Sequence, residues 1–348
     1  MNSRTFLIMI AAILVMIALF YTTPNDFNGV DHGLFLPDLK AGINDVDKIT
    51  ITTANNELVA TLQRGEAQWT VVERYGFPAN VGKIRSILIA LADAQIIETK
   101  TADPALYDRL GVQDLDQPDA SGTRIDISGP GQTISLIVGD TGVRGDMAYV
   151  RQVGADQSFL VSADLDLGSN IADWIDKDLL NISPSNVHTV TINHPDGDSL
   201  SIEKINREAT GFTVVEVPEG RELSYASIAD PIGGVLTALT MDDVTTLTAL
   251  DLGASEPVVT RFETFDGLVI EVDAYHLLDD DIKVRFRISA DQALADEFID
   301  TDAETTDPAF SSTVAKAEEL NAKLEPWIFT LPSFKSDQLV KRMEDLLK

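Results

Sequence analysis

The sequence predicts an α+β protein. A single N-terminal transmembrane helix comes first, then two related modules, each a mainly antiparallel sheet with a packed amphipathic helix, then a C-terminal helical segment. Three observations predict this. An uncharged apolar run lies near the N-terminus, short β-type runs alternate with amphipathic segments, and the same alternation occurs twice along the chain. A hydrophobic content of 44% in 348 residues is ample for buried cores.

The composition restricts the functions open to the chain. Its 56 acidic and 26 basic residues give a formal net charge of −30, so it should repel nucleic acid, and we expect no such partner. The lack of cysteine excludes disulfides, thiolate nucleophiles and cysteine-bound zinc or iron–sulfur clusters. It also fits an oxidising compartment, where stray thiols are a liability.

Residues 1–23 are predicted to form an uncleaved membrane anchor. The uncharged run Phe6–Tyr21 with its flanking threonines would span roughly 28 Å, close to the thickness of the bilayer core. Arg4 precedes the run and no Lys or Arg follows before Lys40, which favours an N-terminus in the cytoplasm. The residues assigned to the anchor are Phe6, Leu7, Ile8, Ile10, Ala11, Ile13, Leu14, Val15, Ile17, Ala18, Leu19, Phe20 and Tyr21.

Two other interpretations of this run are open. A cleaved signal peptide has an apolar region of about 7–15 residues and a small-x-small cleavage site. Here the run ends in bulky residues, Leu19, Phe20 and Tyr21, where a peptidase requires small ones. A buried helix of a cytosolic protein is the remaining alternative.

The first module is predicted over residues 45–180, after a stalk or lead-in at 24–44. Ile84, Ile87, Leu88 and Leu91 have the i, i+3, i+4, i+7 spacing of an apolar helix face, and Asn80 is suited to cap that helix. β-type runs bounded by turn residues predict strands, and a further helix is predicted at Asp164–Leu180. The predicted strands are Lys48–Thr53, Glu57–Gln63, Trp69–Glu73, Thr123–Ser128, Thr133–Val138, Met147–Gln152 and Ser158–Val161.

The second module, residues 186–290, repeats the pattern of the first. Segment Asn186–Ile192 matches Asp45–Ile51, and Phe212–Leu223 matches Trp69–Asn80. Ile228, Ile232, Val235 and Leu239 share one face of a predicted helix, Ile228–Leu239. Strands predicted at Val258–Thr264 and Leu268–Val272 correspond to the strands at Thr123–Ser128 and Thr133–Val138. The order of these matches indicates a diverged duplication; the alternative is chance resemblance of two α/β stretches.

The chain ends in an acidic linker, residues 291–312, and a helical segment, residues 313–348. Asp291–Asp307 contains seven acids and no Lys or Arg, which is typical of a solvated linker. Helices are predicted at Thr313–Leu324 and Lys335–Lys348, separated by Pro326 and Pro332. The last helix carries bases as well as acids, so we expect it to dock on the protein instead of a membrane surface.

No catalytic, cofactor-binding or metal-binding motif is present, so we expect a non-enzymatic protein without a cofactor. None of the four histidines, His32, His188, His194 and His276, belongs to an HExxH motif or an i, i+4 pair. The segment starting at Asp114 resembles a calcium loop, but Ile125 stands where such a loop needs Glu. No GxxxxGK[ST] phosphate loop or GxSxG nucleophile motif occurs.

The tryptophans are predicted to anchor cores, because a large aromatic ring contributes much buried area. An exposed tryptophan at an interface is the alternative. The residues predicted to form the structural core are Trp69, Ile87, Leu88, Leu91, Trp174, Val235, Leu239 and Trp327.

Several segments together resemble a bacterial domain-of-unknown-function family, number 4340, whose members carry an N-terminal membrane helix. The similarity covers most of residues 34–348 and brings no catalytic motif with it. The segments that carry it are Leu34–Ile51, Gln68–Thr101, Asp103–Val112, Ser135–Asp140, Asp146–Gly154, Trp174–Ile182 and Lys323–Phe334.

The resemblance implies a setting and partners. Members of this family are often encoded beside gliding-motility-type ABC transporters, which comprise an ATPase, a permease and an auxiliary extracytoplasmic subunit. It therefore implies a non-enzymatic accessory or scaffold subunit in the bacterial inner membrane. The protein would cross the membrane once, with its N-terminus in the cytoplasm and its ectodomain in the periplasm or extracytoplasmic space. An independent envelope protein that binds a ligand or cation, and a carboxylate-based envelope hydrolase, are the alternatives.

Overall fold

The computed structural model describes residues 33–117, 119–250, 256–277, 281–298 and 308–348. The predicted anchor, residues 1–23, lies outside this described part. No helix among the described residues is long and apolar enough to cross a membrane.

The chain forms two compact units. The first contains the described residues of 33–70 and 80–174, and the second contains 71–79 and the described residues of 175–348. The predicted mixture of helices with large antiparallel sheets is confirmed. The division falls at residue 174, earlier than the predicted gap at 181–185, and the predicted C-terminal segment 313–348 is part of the second unit.

A large antiparallel sheet forms the core of the first unit. Eight of its strands follow the order β3-β2-β1-β6-β7-β8-β9-β5. Ile49 pairs with Ile127 and Ile51 with Ile125, and all four side chains are buried, because alternate residues of a strand point to the same face. The strands are β1 Lys48–Thr53, β2 Glu57–Arg64, β3 Trp69–Val71, β5 Ile96–Thr99, β6 Thr123–Gly129, β7 Gln132–Thr141, β8 Ala148–Gln152 and β9 Ser158–Val161.

The described part of the first unit contains two α-helices, α1 at Pro37–Gly42 and α2 at Val81–Asp93. The predicted cap is confirmed, since the Asn80 side chain accepts a hydrogen bond of 2.9 Å from the Lys83 backbone N–H. The buried residues of α2 are Ile84, Ile87, Leu88, Leu91 and Ala92.

The described part of the predicted lead-in, from residue 33 to 44, is not a stalk. Phe35, Leu36 and Leu39 are buried, and the Phe35 N–H donates to the Ala94 carbonyl over 2.8 Å. The apolar side chains of α1 therefore contribute to the core of the first unit.

The predicted helix at Asp164–Leu180 is wrong. Only Ile171–Asp173 forms one 3-10 turn, and Asp178–Leu180 forms strand β10. Carboxylates compete with helical bonding here: the Asp166 side chain accepts from the Gly168 N–H over 3.0 Å, and Gly168 has a positive φ of 59°.

The second unit contains a sheet of eight strands in the order β13-β12-β11-β16-β17-β18-β19-β15. Strand β10 pairs separately with β14, Leu239–Thr240, and β4 is the short strand Phe77–Pro78. The strands of the sheet are β11 Val187–Asn193, β12 Ser199–Glu203, β13 Thr213–Val214, β15 Asp243–Thr246, β16 Val258–Thr264, β17 Leu268–His276, β18 Ile282–Ala290 and β19 Trp327–Thr330.

The predicted helix at Ile228–Leu239 is also wrong, because only α3, Asp230–Gly233, is helical. Gly233 and Gly234 follow one another at its end and disfavour propagation. The Lys335 ammonium group instead satisfies the carbonyls of Gly234, Val235 and Thr237 over 2.8–3.3 Å. The segment is buried as a chain of turns held by this lysine.

The C-terminal residues do not match the predicted linker and final helix in full. Within the predicted linker 291–312, α4 forms at Gln292–Asp296, and α5 at Pro308–Leu324 begins before the predicted Thr313. The predicted helix Lys335–Lys348 is replaced by α6, Ser333–Leu339, and a 3-10 turn at Met343–Leu346. Arg342 interrupts the helix, since it forms ion pairs of 2.9 Å with both Asp196 and Asp198.

Candidate functional site

The first unit contains a polar cavity of about 470 Å³, which we call the Tyr107 cavity. It lies beside the 3-10 helix Pro104–Leu110, which begins at the Asp103 side-chain cap and ends at Gly111. Its volume lies within the range of small-molecule sites. The lining residues are Pro104, Ala105, Tyr107, Asp108, Gln113, Asp114, Gln117, Asp119, Arg151, Gly154, Ala155 and Asp156.

Arg151, on strand β8, organises the wall of this cavity. Its side chain is only 3% exposed, and its Nε and Nη1 donate to the carbonyls of Val112 and Ala155 over 2.9 and 3.0 Å. Its Nη2 lies 2.5 Å from Asp114 Oδ1, and its guanidinium carbon lies 4.6 Å from the centre of the Tyr107 ring. The buried charge is thus paired and hydrogen-bonded, as a buried cation must be.

Tyr107 is fixed against the same wall. Its hydroxyl donates a hydrogen bond to the Asp156 carbonyl. Burial raises the pKa of Tyr107, and the nearby Arg151 charge only partly opposes that shift. The phenol therefore remains protonated near neutral pH and serves as a donor, not as a base.

The remaining polar groups of the cavity are mainly acceptors. Gln113 Nε2 donates to the Asp119 carbonyl over 3.3 Å, while its buried Oε1 accepts no hydrogen bond from the described residues. The lining also contains the carboxyl groups of Asp108, Asp114, Asp119 and Asp156. This composition suits a ligand that carries N–H or O–H donors or a positive charge.

The calcium-like segment starting at Asp114 lies partly within the described residues. Among the described residues, no group of three or more His, Asp or Glu side chains could hold a metal ion. The carboxylate of Asp114 is instead engaged by Arg151.

The described histidines have structural contacts. His188 packs against Phe265 and Phe298, with ring centres 5.1 and 4.5 Å apart. His194 is 8% exposed, and its Nε2 lies 3.3 Å from the Lys341 carbonyl. His276 ends strand β17, and His32 lies outside the described residues. The structure thus does not bring His188, His194 or His276 into the Tyr107 cavity.

Six of the eight predicted core residues are buried, namely Ile87, Leu88, Leu91, Trp174, Val235 and Leu239. Trp69 and Trp327 are only half-buried, contrary to the prediction. Trp327 belongs to strand β19 and packs edge-on against Phe77 with ring centres 5.0 Å apart, whereas Trp69 lines an open groove.

Sequence reasoning did not find Tyr107, Gln113 or Arg151. One signal was available: Arg151 follows Ala148–Val150 in a short β-type run, and a charged residue within such a run is unusual when buried. The carbonyls that it binds belong to loops distant in sequence, so its partners could not be read from local spacing.

The fold and the cavity define a class: two compact units built on antiparallel sheets, the first of which holds a pocket of ligand size. The family model described as a domain of unknown function, DUF4340, matches residues 69–261. This match covers more than half of the chain, so the protein belongs to that family. No curated protein and no solved structure matches the chain.

Proposed function

We propose that this protein is a non-enzymatic, extracytoplasmic accessory or scaffold subunit of a bacterial ABC transporter complex of the gliding-motility-auxiliary type. Membership of the DUF4340 family carries the proposal, since the resemblance to this family implies a setting beside such transporters. Its partners would be the permease, the ATPase and an auxiliary extracytoplasmic subunit. The apolar run Phe6–Tyr21 would anchor it once in the inner membrane, with the N-terminus in the cytoplasm and the ectodomain in the periplasm or extracytoplasmic space.

Two features support a binding role over a catalytic one. The chain has no GxxxxGK[ST] loop, so energy from ATP would have to come from another subunit. In the Tyr107 cavity, the Arg151 guanidinium holds two backbone carbonyls and the burial of Tyr107 keeps its proton in place. Groups engaged in this way hold the shape of a pocket and are poorly placed to exchange protons with a substrate.

We further propose that the two units are related by duplication. With β4 left aside, eight strands of the first sheet and the eight of the second have the same arrangement. When each set is numbered along the chain, the order across both sheets is 3-2-1-5-6-7-8-4. The matched segments occupy equivalent strands: Ile51 pairs with Ile125 across β1 and β6, and Ile192 pairs with Thr260 across β11 and β16. Superposition of the two sheets on these strands tests the proposal, and failure to superpose would remove it.

Affinity purification of the tagged full-length chain from its native membranes, followed by mass spectrometry, tests the transporter role. We expect permease and ATPase subunits to be enriched over a purification from untagged cells. Recovery of the chain without either subunit under mild extraction would contradict the proposal.

A second candidate function is the binding of a cationic, donor-rich small molecule in the Tyr107 cavity. The buried Gln113 Oε1, which has no hydrogen-bond partner among the described residues, and the acidic lining favour it. Spermidine serves as a probe: a saturable rise in melting temperature that is lost in Asp114→Asn with Asp119→Asn would support binding. An equal rise in that double variant would show non-specific attraction to the acidic surface.

A further inference from the structure

A second concave surface of the first unit, the α2 groove, differs from the Tyr107 cavity in being mainly apolar. It measures about 420 Å³ and lies along helix α2 beside the ends of strands β2 and β3. Ile84 and Leu88 form its floor, and Trp69 from β3 forms one wall. Arg64 and Arg85 also line it.

The outer rim of the α2 groove exposes apolar side chains in a regular pattern. Val81, Arg85 and Ile89 have i, i+4, i+8 spacing and therefore form one stripe along α2. Val81 and Ile89 are 40% and 48% exposed, although this surface position would favour polar residues. With the half-buried Trp69 they line the same groove, and exposed apolar side chains gathered in this way mark interaction sites.

Within the part of the chain that the structure describes, neither arginine of the groove pairs with a carboxylate. There, Arg64 Nη1 donates to the carbonyls of Asn44 and Val46, over 2.7 and 3.4 Å. Arg85 is exposed and has no hydrogen-bond or ion-pair partner among the described residues. This is notable in a chain with 56 acids and 26 bases, where arginines such as Arg124 and Arg261 do pair with carboxylates.

We propose that the α2 groove docks an acidic, amphipathic segment of a partner protein, with large apolar side chains on Trp69 and Ile89 and a carboxylate between Arg64 and Arg85. An arginine binds a carboxylate with two parallel hydrogen bonds, which fixes the orientation of the segment. The groove is an open depression along the surface and not a closed tunnel, so it fits a protein segment better than the chain of a fatty acid.

This inference rests on the proposed function and deepens it, because it gives the chemistry by which a transporter subunit would contact this protein. An acidic segment would be repelled by most of the surface, since the net charge is −30. The positive rim of the α2 groove would therefore select where such a partner binds as well as strengthen the contact.

Photo-crosslinking in the cells that naturally produce the protein tests the inference. A photoreactive amino acid replaces Ile89 in the full-length chain, and the control carries it at Val143, which is fully exposed and outside the groove. We expect a protein adduct at position 89 whose crosslinked peptide carries Asp or Glu beside large apolar residues. Arg64→Glu with Arg85→Glu should lower its yield by about tenfold or more, in line with the coupling of ion pairs at interfaces.

Charge reversal at two other exposed arginines, Arg109→Glu with Arg144→Glu, is the matched control. It should leave the yield of the adduct at position 89 unchanged. Arg64 also holds two backbone carbonyls, so the exposed Arg85→Glu is tested alone, and an unchanged melting temperature shows that the fold is intact. An adduct no stronger than that at Val143, a lipid adduct, a partner segment without carboxylates, or a yield insensitive to Arg85→Glu would each overturn the inference.

The outcomes separate this inference from the proposed function. Co-purification of permease and ATPase without an adduct at Ile89 would overturn the groove proposal and leave the transporter role standing. An acidic segment captured from a protein outside the transporter would support the groove and contradict the transporter role.

Discussion

Replacement of Arg151 by methionine tests the account of the Tyr107 cavity, since methionine keeps much of the aliphatic volume and removes every donor. The buried Val112 carbonyl would lose its partner, which costs about 1–3 kcal/mol, and the half-buried Ala155 carbonyl would lose a hydrogen bond worth about 0.5–1.5 kcal/mol. The Asp114 ion pair adds at most about 1 kcal/mol, because that carboxylate is 59% exposed. We therefore expect the free energy of unfolding of the first unit to fall by about 2–5 kcal/mol.

Urea denaturation followed by far-UV circular dichroism measures this change. The two units can unfold in separate transitions, so the comparison uses the transition that shifts in the variant. Arg124→Met provides the matched control: Arg124 is 36% exposed and paired with Asp126, and we expect a change of about 1 kcal/mol or less. A loss below about 1 kcal/mol in Arg151→Met would refute the assignment of Arg151 as the residue that holds the cavity wall.

Three further predictions concern the core, the pH dependence and the anchor. Leu91→Ala should lower the free energy of unfolding by about 2–5 kcal/mol, because Leu91 is fully buried, and a near-neutral effect in the same urea assay would contradict its core position. Burial raises the pKa of Asp273 above 3.8 despite Arg287, so the folded state binds this proton more tightly than the unfolded state. The contribution of Asp273 to the free energy of unfolding is therefore fully present below pH 3.8 and is lost as the pH rises through the raised pKa. Over that range, wild type should lose free energy of unfolding relative to Asp273→Asn. A difference between the two proteins that does not change with pH would contradict this. Ala11→Leu with Ala18→Leu should reduce recovery of the transporter complex in co-purification without blocking membrane insertion, if a partner helix packs on those small residues; full recovery would mean that the anchor is only a tether.

The strands could be predicted from the sequence because their signal is local. In β1, alternate residues Ile49 and Ile51 are buried, and the turn residues that follow mark its end. The same holds for β16, whose predicted bounds, Val258–Thr264, match the structure. A β-branched run bounded by turn residues is sufficient to specify a strand even before its partners are known.

The helix predictions at 164–180 and 228–239 were wrong because an apolar spacing of three or four residues also occurs in buried irregular segments. Val235 and Leu239 are buried as predicted, yet the chain reaches them through turns stabilised by Lys335, a contact that sequence spacing does not contain. The half-exposure of Trp69 has a similar origin, since the groove that it lines is made by neighbouring elements.

The Tyr107 cavity could not be predicted from the sequence at all. Arg151 reaches the Val112 carbonyl and Asp114, which belong to a loop far from β8 along the chain. Only the pairing of strands β7 and β8 and the close approach of the loop bring these groups together. Sites of this kind depend on tertiary contacts and have no fixed sequence spacing.

The central claim, that this protein works as a subunit of a membrane ABC transporter complex, is tested most directly by the mass of the particle that contains it. Native mass spectrometry of the tagged chain, extracted gently from its own membranes, measures that mass. We predict a particle that exceeds the 37.8 kDa of this chain by the masses of permease and ATPase subunits and that releases them on activation. A particle with the mass of the tagged chain alone, or one that contains only copies of it, would contradict the account.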